Sequence, residues 1–225
     1  LAINRNRGVC IEDISKAIWQ VEEETDNPVG ALKNLAYRLR KALRDASFDE
    51  ECIVSVRGGL YKWNDDVEVS IDVEEFDRYI NEAEFAFSRS KETAIESYEK
   101  AIALYNGDFL SRLTDTHWFM TLNAFYHSRY VITVKALAEL YIDTGCYEKL
   151  EQLCTKAVVY ERSDEQIYSY LILARMRTKK VQMAFDTYET AKAIMDNDLG
   201  VRKTVMLNKE YEEHLSVTKS DSSYN

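Results

Sequence analysis

Residues 28–44 read PVGALKNLAYRLRKALR. Leu32, Leu35, Ala36, Leu39 and Leu43 recur at helical spacing and predict an amphipathic helix with these residues against a core. Lys33, Asn34, Tyr37, Arg38, Arg40, Lys41 and Arg44 fill the rest of the circumference, and the stretch holds no Asp or Glu. Asn27 stands ready as the side-chain cap, and Pro28 takes the first helical position, where its missing N–H costs nothing. The whole chain of 225 residues is acidic, with 29 Lys and Arg against 39 Asp and Glu and a formal net charge of −10. A basic helix free of carboxylates inside such a chain points to contact with a polyanion, nucleic acid above all.

The residues on either side support that reading. Upstream, the segment 11–20, IEDISKAIWQ, places Ile11, Ile14, Ala17, Ile18 and Trp19 on an apolar helical face, with Glu12 and Asp13 suited to a helix N-terminus. The opening LAINRNRG reads like the tail of a helix running into a turn at 6–8, and 21–26, VEEETD, is an acidic loop. Two helices joined by a short loop, the second one basic, form a helix-turn-helix pattern. Downstream, CIVSVRGGLYKW at 52–63 carries strand formers on both sides of Gly58–Gly59, which can supply the positive φ of a tight turn. Arg57 sits at the tip of that hairpin, with Tyr61 and Lys62 just after. A helix-turn-helix followed by a basic-tipped hairpin is the order of a winged helix, in which the helix enters the major groove and the wing reaches phosphate or minor groove alongside.

Beyond a linker at 64–70 the chain reads as helix almost to its end. The predicted helices are 72–87, 91–105, 117–144 as one long helix or two, 147–160, 164–178, 181–195 and 203–217. Leu150, Cys154 and Ala157 recur 34 residues later as Ala184, Tyr188 and Ala191, and the same spacing appears earlier at Ala94, Tyr98 and Ala101. A period of 34 with small residues at helix contacts marks tetratricopeptide-like helix pairs, each burying its face against its neighbours. An inserted segment, 108–127, breaks the period, and KSDSSYN at 219–225 has almost no apolar content and reads as a disordered tail.

Composition sets limits. Seven glycines and one proline disfavour a fold of many tight hairpins. Up to residue 62 there are ten Lys and Arg (5, 7, 16, 33, 38, 40, 41, 44, 57, 62) against ten Asp and Glu, so the acidic excess lies wholly beyond that point. Cys10, Cys52, Cys146 and Cys154 lack zinc or disulfide-framework spacing and read as reduced, mostly packed thiols of a cytoplasmic protein. No apolar run has the length of a membrane span. His117, His127 and His214 are far apart, and neither a phosphate loop nor a nucleophile motif is visible, so the pattern points away from an enzyme, a metal site or a cofactor. Trp19, Trp63 and Trp118 read as core anchors.

With winged-helix order and helical repeats together, the sequence resembles the SARP family of DNA-binding regulators. YRLRKAL at 37–43 and VRGGLYKW at 56–63 resemble the effector domain of OmpR/PhoB-type response regulators. DVEEFDRYI at 72–80, AIALYNGDFL at 101–110, Trp118, LAELYIDTGCYEKLEQLCTKAV at 137–158 and the ending Tyr188…Asp198-Leu199-Gly200-Val201 resemble the bacterial transcriptional activation domain. The resemblance implies a mainly α fold: a partial winged helix at 1–66, then an all-α tetratricopeptide-like domain at 71–218. Family members open with a small antiparallel sheet and a first helix, of which only LAINRNRG remains here, so the N-terminal part of the winged helix is expected to be missing.

It further implies a transcriptional regulator of the activator kind whose partner is double-stranded promoter DNA, with the repeats serving protein contact or signal reception. Residues 28–44 would be the recognition helix and 57–61 the wing. The expected DNA-binding set is Lys33, Tyr37, Arg40 and Arg44 along one stripe, Asn34, Arg38 and Lys41 beside it, and Arg57 and Lys62 on the wing. In related effectors the loop holding Glu22, Glu23 and Glu24 faces RNA polymerase, and groove readers commonly act as homodimers. A second reading, of another class, is a scaffold that binds a partner protein through the repeats without touching DNA. Two expectations follow for variants: Arg40→Ala and Arg44→Ala weaken duplex binding and leave stability within about 0.5 kcal/mol, and Leu39→Ala costs roughly 2–5 kcal/mol as a buried leucine.

Overall fold

The computed structural model describes residues 1, 5, 7–19, 27–46, 51–107 and 117–198. The acidic loop with Glu22, Glu23 and Glu24, the helix expected at 203–217 with His214, and the tail 219–225 lie outside the described residues, as does the Trp118 side chain. The chain divides into two compact units, one gathering residues 1–75 with 109–124 and the other 76–108 with 125–225.

In the first unit the order is β1 (Val9–Cys10), α1 (Ile11–Ile18), α2 (Pro28–Asp45), β2 (Ile53–Val56) and β3 (Leu60–Trp63). The strands form one antiparallel sheet in the order β1-β3-β2, with Val56 opposite Leu60 and Ile53 opposite Trp63 across the hairpin. Gly58 and Gly59 hold φ of 88° and 71°, the left-handed values that make glycine the fitting residue at both positions. β1 departs from the sequence reading, which had only a turn there: Val9 lies opposite Tyr61 and Cys10 opposite Leu60. Two residues carry no periodic signal, so this strand forms only because β3 offers it an edge. The Cys10 thiol then caps α1, accepting a hydrogen bond from the Asp13 N–H at 3.4 Å. Trp19, expected inside α1, is its C-cap and packs on the core instead.

Leu32, Ala36, Cys52, Ile53 and Tyr61 are the buried centre of this unit, with Ile11, Ile14, Trp19, Leu43 and Trp63 packed around them. Both tryptophans thus anchor the core, and the Trp63 Nε1–H donates to the Val67 carbonyl at 3.0 Å.

The second unit takes in α3 (Asp72–Phe87), α4 (Lys91–Leu104), α5 (His117–Asp143), α6 (Tyr147–Tyr160), α7 (Glu165–Arg177) and α8 (Val181–Asp198), save the first residues of α3 and α5, which fall in the other unit. The 117–144 stretch is therefore one helix. The repeat triplets explain the architecture: Ala94, Tyr98, Ala101, Leu150, Cys154, Ala157, Ala184 and Ala191 are all buried, and Tyr188 is half-buried. Small side chains at these positions let successive helices approach, and each pair covers the next. Tyr105 stacks on Tyr130 with ring centroids 3.9 Å apart, and Tyr160 meets both edge-on at 5.4 and 5.7 Å. His127 on α5 ties the end of α4, through Tyr105 Oη at 3.1 Å, to the end of α6, through Glu161 Oε2 at 2.9 Å. Cys52 and Cys154 are buried, Cys10 and Cys146 half-buried, and all four are thiols outside any disulfide; burial pushes the Cys154 thiol far up. Among the described residues no helix is long and apolar enough to cross a membrane.

Candidate nucleic-acid interface

The cap of α2 forms as the sequence indicates. Asn27 Oδ1 accepts the Gly30 N–H at 2.9 Å, and Pro28 opens the helix. A Cβ on Gly30 would come within 2.6 Å of Asn27 Nδ2, so residue 30 must stay small for the cap to close. Asn27→Ala is expected to lower stability by about 1 kcal/mol, and Gly30→Ala to act through the same cap. Thermal unfolding of both single variants and the double variant checks this, and the double should lose no more than the more destabilised single variant.

The covered part of α2 is narrower than the leucine pattern suggests. Leu32 and Ala36 are buried and Leu43 half-buried, whereas Leu35 is 40% and Leu39 44% exposed. At 100° per residue, Leu32, Leu43, Ala36 and Arg40 form one continuous arc, and Leu35 and Leu39 lie on its far flank. β2 meets the arc at Arg40, and α1 also packs on α2. The large destabilisation expected of Leu39→Ala is therefore withdrawn: a leucine this open has much less to lose on truncation.

Arg40 needs the opposite correction. Its Nε–H donates to the Ile53 carbonyl at 2.8 Å, the same nitrogen lies 3.0 Å from Glu51 Oε1, and Nη2 donates to Ser55 Oγ at 3.4 Å. Its side chain is 22% exposed, so it is turned inward against β2, and a stability-neutral Arg40→Ala is no longer expected. The signal was in the sequence: Arg40 stands four residues after the buried Ala36 and three before Leu43. Its partners, Glu51 and Ser55, could not be read without the hairpin's placement.

The other candidates stay on the surface. Lys33, Asn34, Tyr37, Arg38, Lys41 and Arg44 are exposed along α2, and Arg57 is exposed in the hairpin turn. Among the described residues none of these five cations has a carboxylate partner. Lys62 differs, because its ammonium is 2.5 Å from Asp65 Oδ2 and its side chain is 24% exposed. Opposite the buried arc, Asn34 and Arg38 face furthest outward, with Lys41 next to Asn34 and Tyr37 beyond it. Lys33 and Arg44 lie nearer the edge where β2 packs. One strip of unneutralised cations with an amide and a phenol between them can hold phosphates and offer donors to base edges. No cluster of His, Cys, Asp or Glu fit to hold a metal is present among the described residues.

Comparison with known proteins agrees with this architecture. The profile of the bacterial transcriptional activator domain matches residues 71–214. The transcriptional regulator RedD of Streptomyces coelicolor is 23% identical over 219 residues, covering 96% of this chain and 62% of RedD. The structure of Mycobacterium tuberculosis EmbR in complex with a low-affinity phosphopeptide matches with a TM-score of 0.69 at 21% identity, over 96% of this chain and 57% of EmbR. The EmbR match is a likeness of fold, and the chain spans about three-fifths of the length of either protein. The resemblance to SARP regulators drawn from the sequence motifs is borne out. With its helical repeats matched by the family profile over more than half of the sequence, the chain belongs to the bacterial transcriptional activator domain family.

Proposed function

We propose that this chain is a DNA-binding transcriptional activator in which α2 enters the major groove of promoter DNA and the hairpin lies alongside. The observation that carries this reading is the outward strip of α2: exposed cations without carboxylate partners among the described residues, in a chain whose net charge is −10. Asn34, Arg38 and Lys41, furthest from the core, reach base edges; Lys33, Arg44 and Arg57, on the flank towards the hairpin, neutralise phosphates. By likeness to its family the acidic loop 21–27 contacts RNA polymerase, and the regulator works as a homodimer on paired half-sites.

The division of labour has distinct signatures. Arg38→Ala should cost about 1–3 kcal/mol of duplex affinity and relax preference at one base pair. Arg44→Ala should weaken all duplexes alike and reduce the slope of log K against log salt by about one. Titrating both variants against the upstream duplex and permuted versions of it checks the assignment. Equal, sequence-independent losses with no change of slope would contradict it.

A role in protein contact for the repeats rests on a specific feature. A cavity of about 550 Å³ opens between α4, α5 and α6, lined by Tyr105, Tyr130, Tyr141, Tyr160, Glu99 and Lys149 among others. Glu99 accepts hydrogen bonds from Tyr141 and Lys149, both at 2.7 Å, which fixes the polar side of this groove. The scaffold reading uses the same groove, and it parts from the activator reading on whether duplex DNA binds.

A further inference from the structure

Arg40 is cationic, sits in the middle of the basic helix and yet points away from the outward strip. Among the described residues β2 is an edge strand, since the sheet order is β1-β3-β2, and no described strand supplies a donor to the carbonyls on its outer side. Arg40 supplies that donor to Ile53 and reaches on to Ser55 two residues along. Glu51, just before β2, balances its charge. The guanidinium therefore spans three residues of the strand that runs into Arg57, and its charge is used within the protein. From this geometry we infer that Arg40 is a positioning residue: it clamps α2 to β2 so that the outward strip of α2 and Arg57 meet one duplex as a single rigid surface. This rests on the reading of α2 as the DNA-entering helix.

The fork shape matters. Lysine keeps the charge but presents a point donor that cannot serve a backbone carbonyl, a hydroxyl and a carboxylate in that plane. A clamp and a phosphate contact thus predict opposite results for Arg40→Lys. The clamp also predicts coupling between residue 40 and the wing, and none between residue 40 and Lys41, whose position on α2 does not depend on β2.

The test uses the full chain, fluorescence-anisotropy titrations of a labelled upstream duplex at several salt concentrations, and amide hydrogen exchange. Arg40→Lys and Arg40→Gln should both weaken binding by about tenfold, the size usual for coupled neighbours, and both should lower the salt slope by about one as the Arg57 phosphate contact is released. In the Arg40→Gln background Arg57→Ala should cost almost nothing, while Lys41→Ala keeps its full cost. Trp63→Phe, which removes the bond to Val67 and leaves every Arg40 hydrogen bond and ion-pair partner in place, serves as a control for general loss of stability and should leave affinity unchanged. Exchange at residues 53–56 should rise in Arg40→Gln and not in Trp63→Phe.

Retention of both affinity and salt slope by Arg40→Lys, with losses only in Arg40→Gln, would make Arg40 a phosphate contact and overturn the inference. So would additivity of Arg40→Gln with Arg57→Ala, or an equal loss of affinity in Trp63→Phe. If the unaltered chain binds no duplex, the DNA reading fails and the positioning role with it; the exchange data then report separately whether the clamp itself exists.

Discussion

Replacing Tyr130 with alanine is expected to destabilise the repeat unit by about 3–5 kcal/mol, the range for removing a large buried aromatic. The side chain is 1% exposed, its ring stacks on Tyr105 at 3.9 Å with the planes 14° apart, and Tyr160 closes it from the edge. The neighbours cannot easily collapse into the space. Tyr105 is held by His127, which is tied in turn to Glu161 at the C-cap of α6. A void among fixed partners forfeits packing as well as transfer free energy. Urea unfolding of the variant checks this, with an unchanged m-value expected if the native fold persists. A loss below about 1 kcal/mol would mean the site can relax as an exposed one does.

Glu151→Ala should cost a comparable amount, about 3 kcal/mol, for a different reason. The Glu151 carboxylate is 11% exposed and joins three helical segments. Its Oε2 lies 2.6 Å from the Lys180 ammonium in the turn before α8, and its Oε1 lies 3.4 Å from the Arg175 Nε on α7. Arg175 is itself 15% exposed and also donates to the Met183 carbonyl and the Thr187 hydroxyl on α8. Removing the carboxylate leaves that guanidinium buried without its counter-charge, and desolvation dominates the loss. Replacing both charges with methionines, Glu151→Met with Arg175→Met, should recover most of it, to within about 1 kcal/mol of the starting stability. Denaturant unfolding of the single and double variants decides the matter. A single variant that unfolds like the parent would show the network to be ornamental.

Much of this molecule could be read before its coordinates, and the failures share a cause. The Asn27-Pro28 start of α2, the Gly58–Gly59 turn and the buried triplets at 94, 98 and 101 and at 150, 154 and 157 are local or periodic features. Spacing and side-chain chemistry state them directly. β1 was missed because two residues have no period and exist as a strand only through β3. Leu39 and Arg40 were misplaced because a helical wheel gives the angle between side chains but not the width of the surface that covers them. Here the covered arc runs from Leu32 to Arg40, where β2 meets it, and leaves Leu35 and Leu39 open. The exposed cations were correctly read as surface residues; which of them keep their charge free for a ligand depended on Glu51 and Asp65, neighbours that only the folded hairpin supplies.

The measurement that bears most directly on the central claim is the salt dependence of duplex binding by the unaltered chain, read by anisotropy with its own upstream DNA and an unrelated duplex of equal length. The three cations assigned to phosphate, Lys33, Arg44 and Arg57, none with a carboxylate partner among the described residues, predict a slope of log K against log salt of about −2.7. Tighter binding to the upstream duplex should persist at every salt concentration. No binding at low salt, or binding with a slope near zero, would contradict the account and leave the basic helix as a protein-docking face.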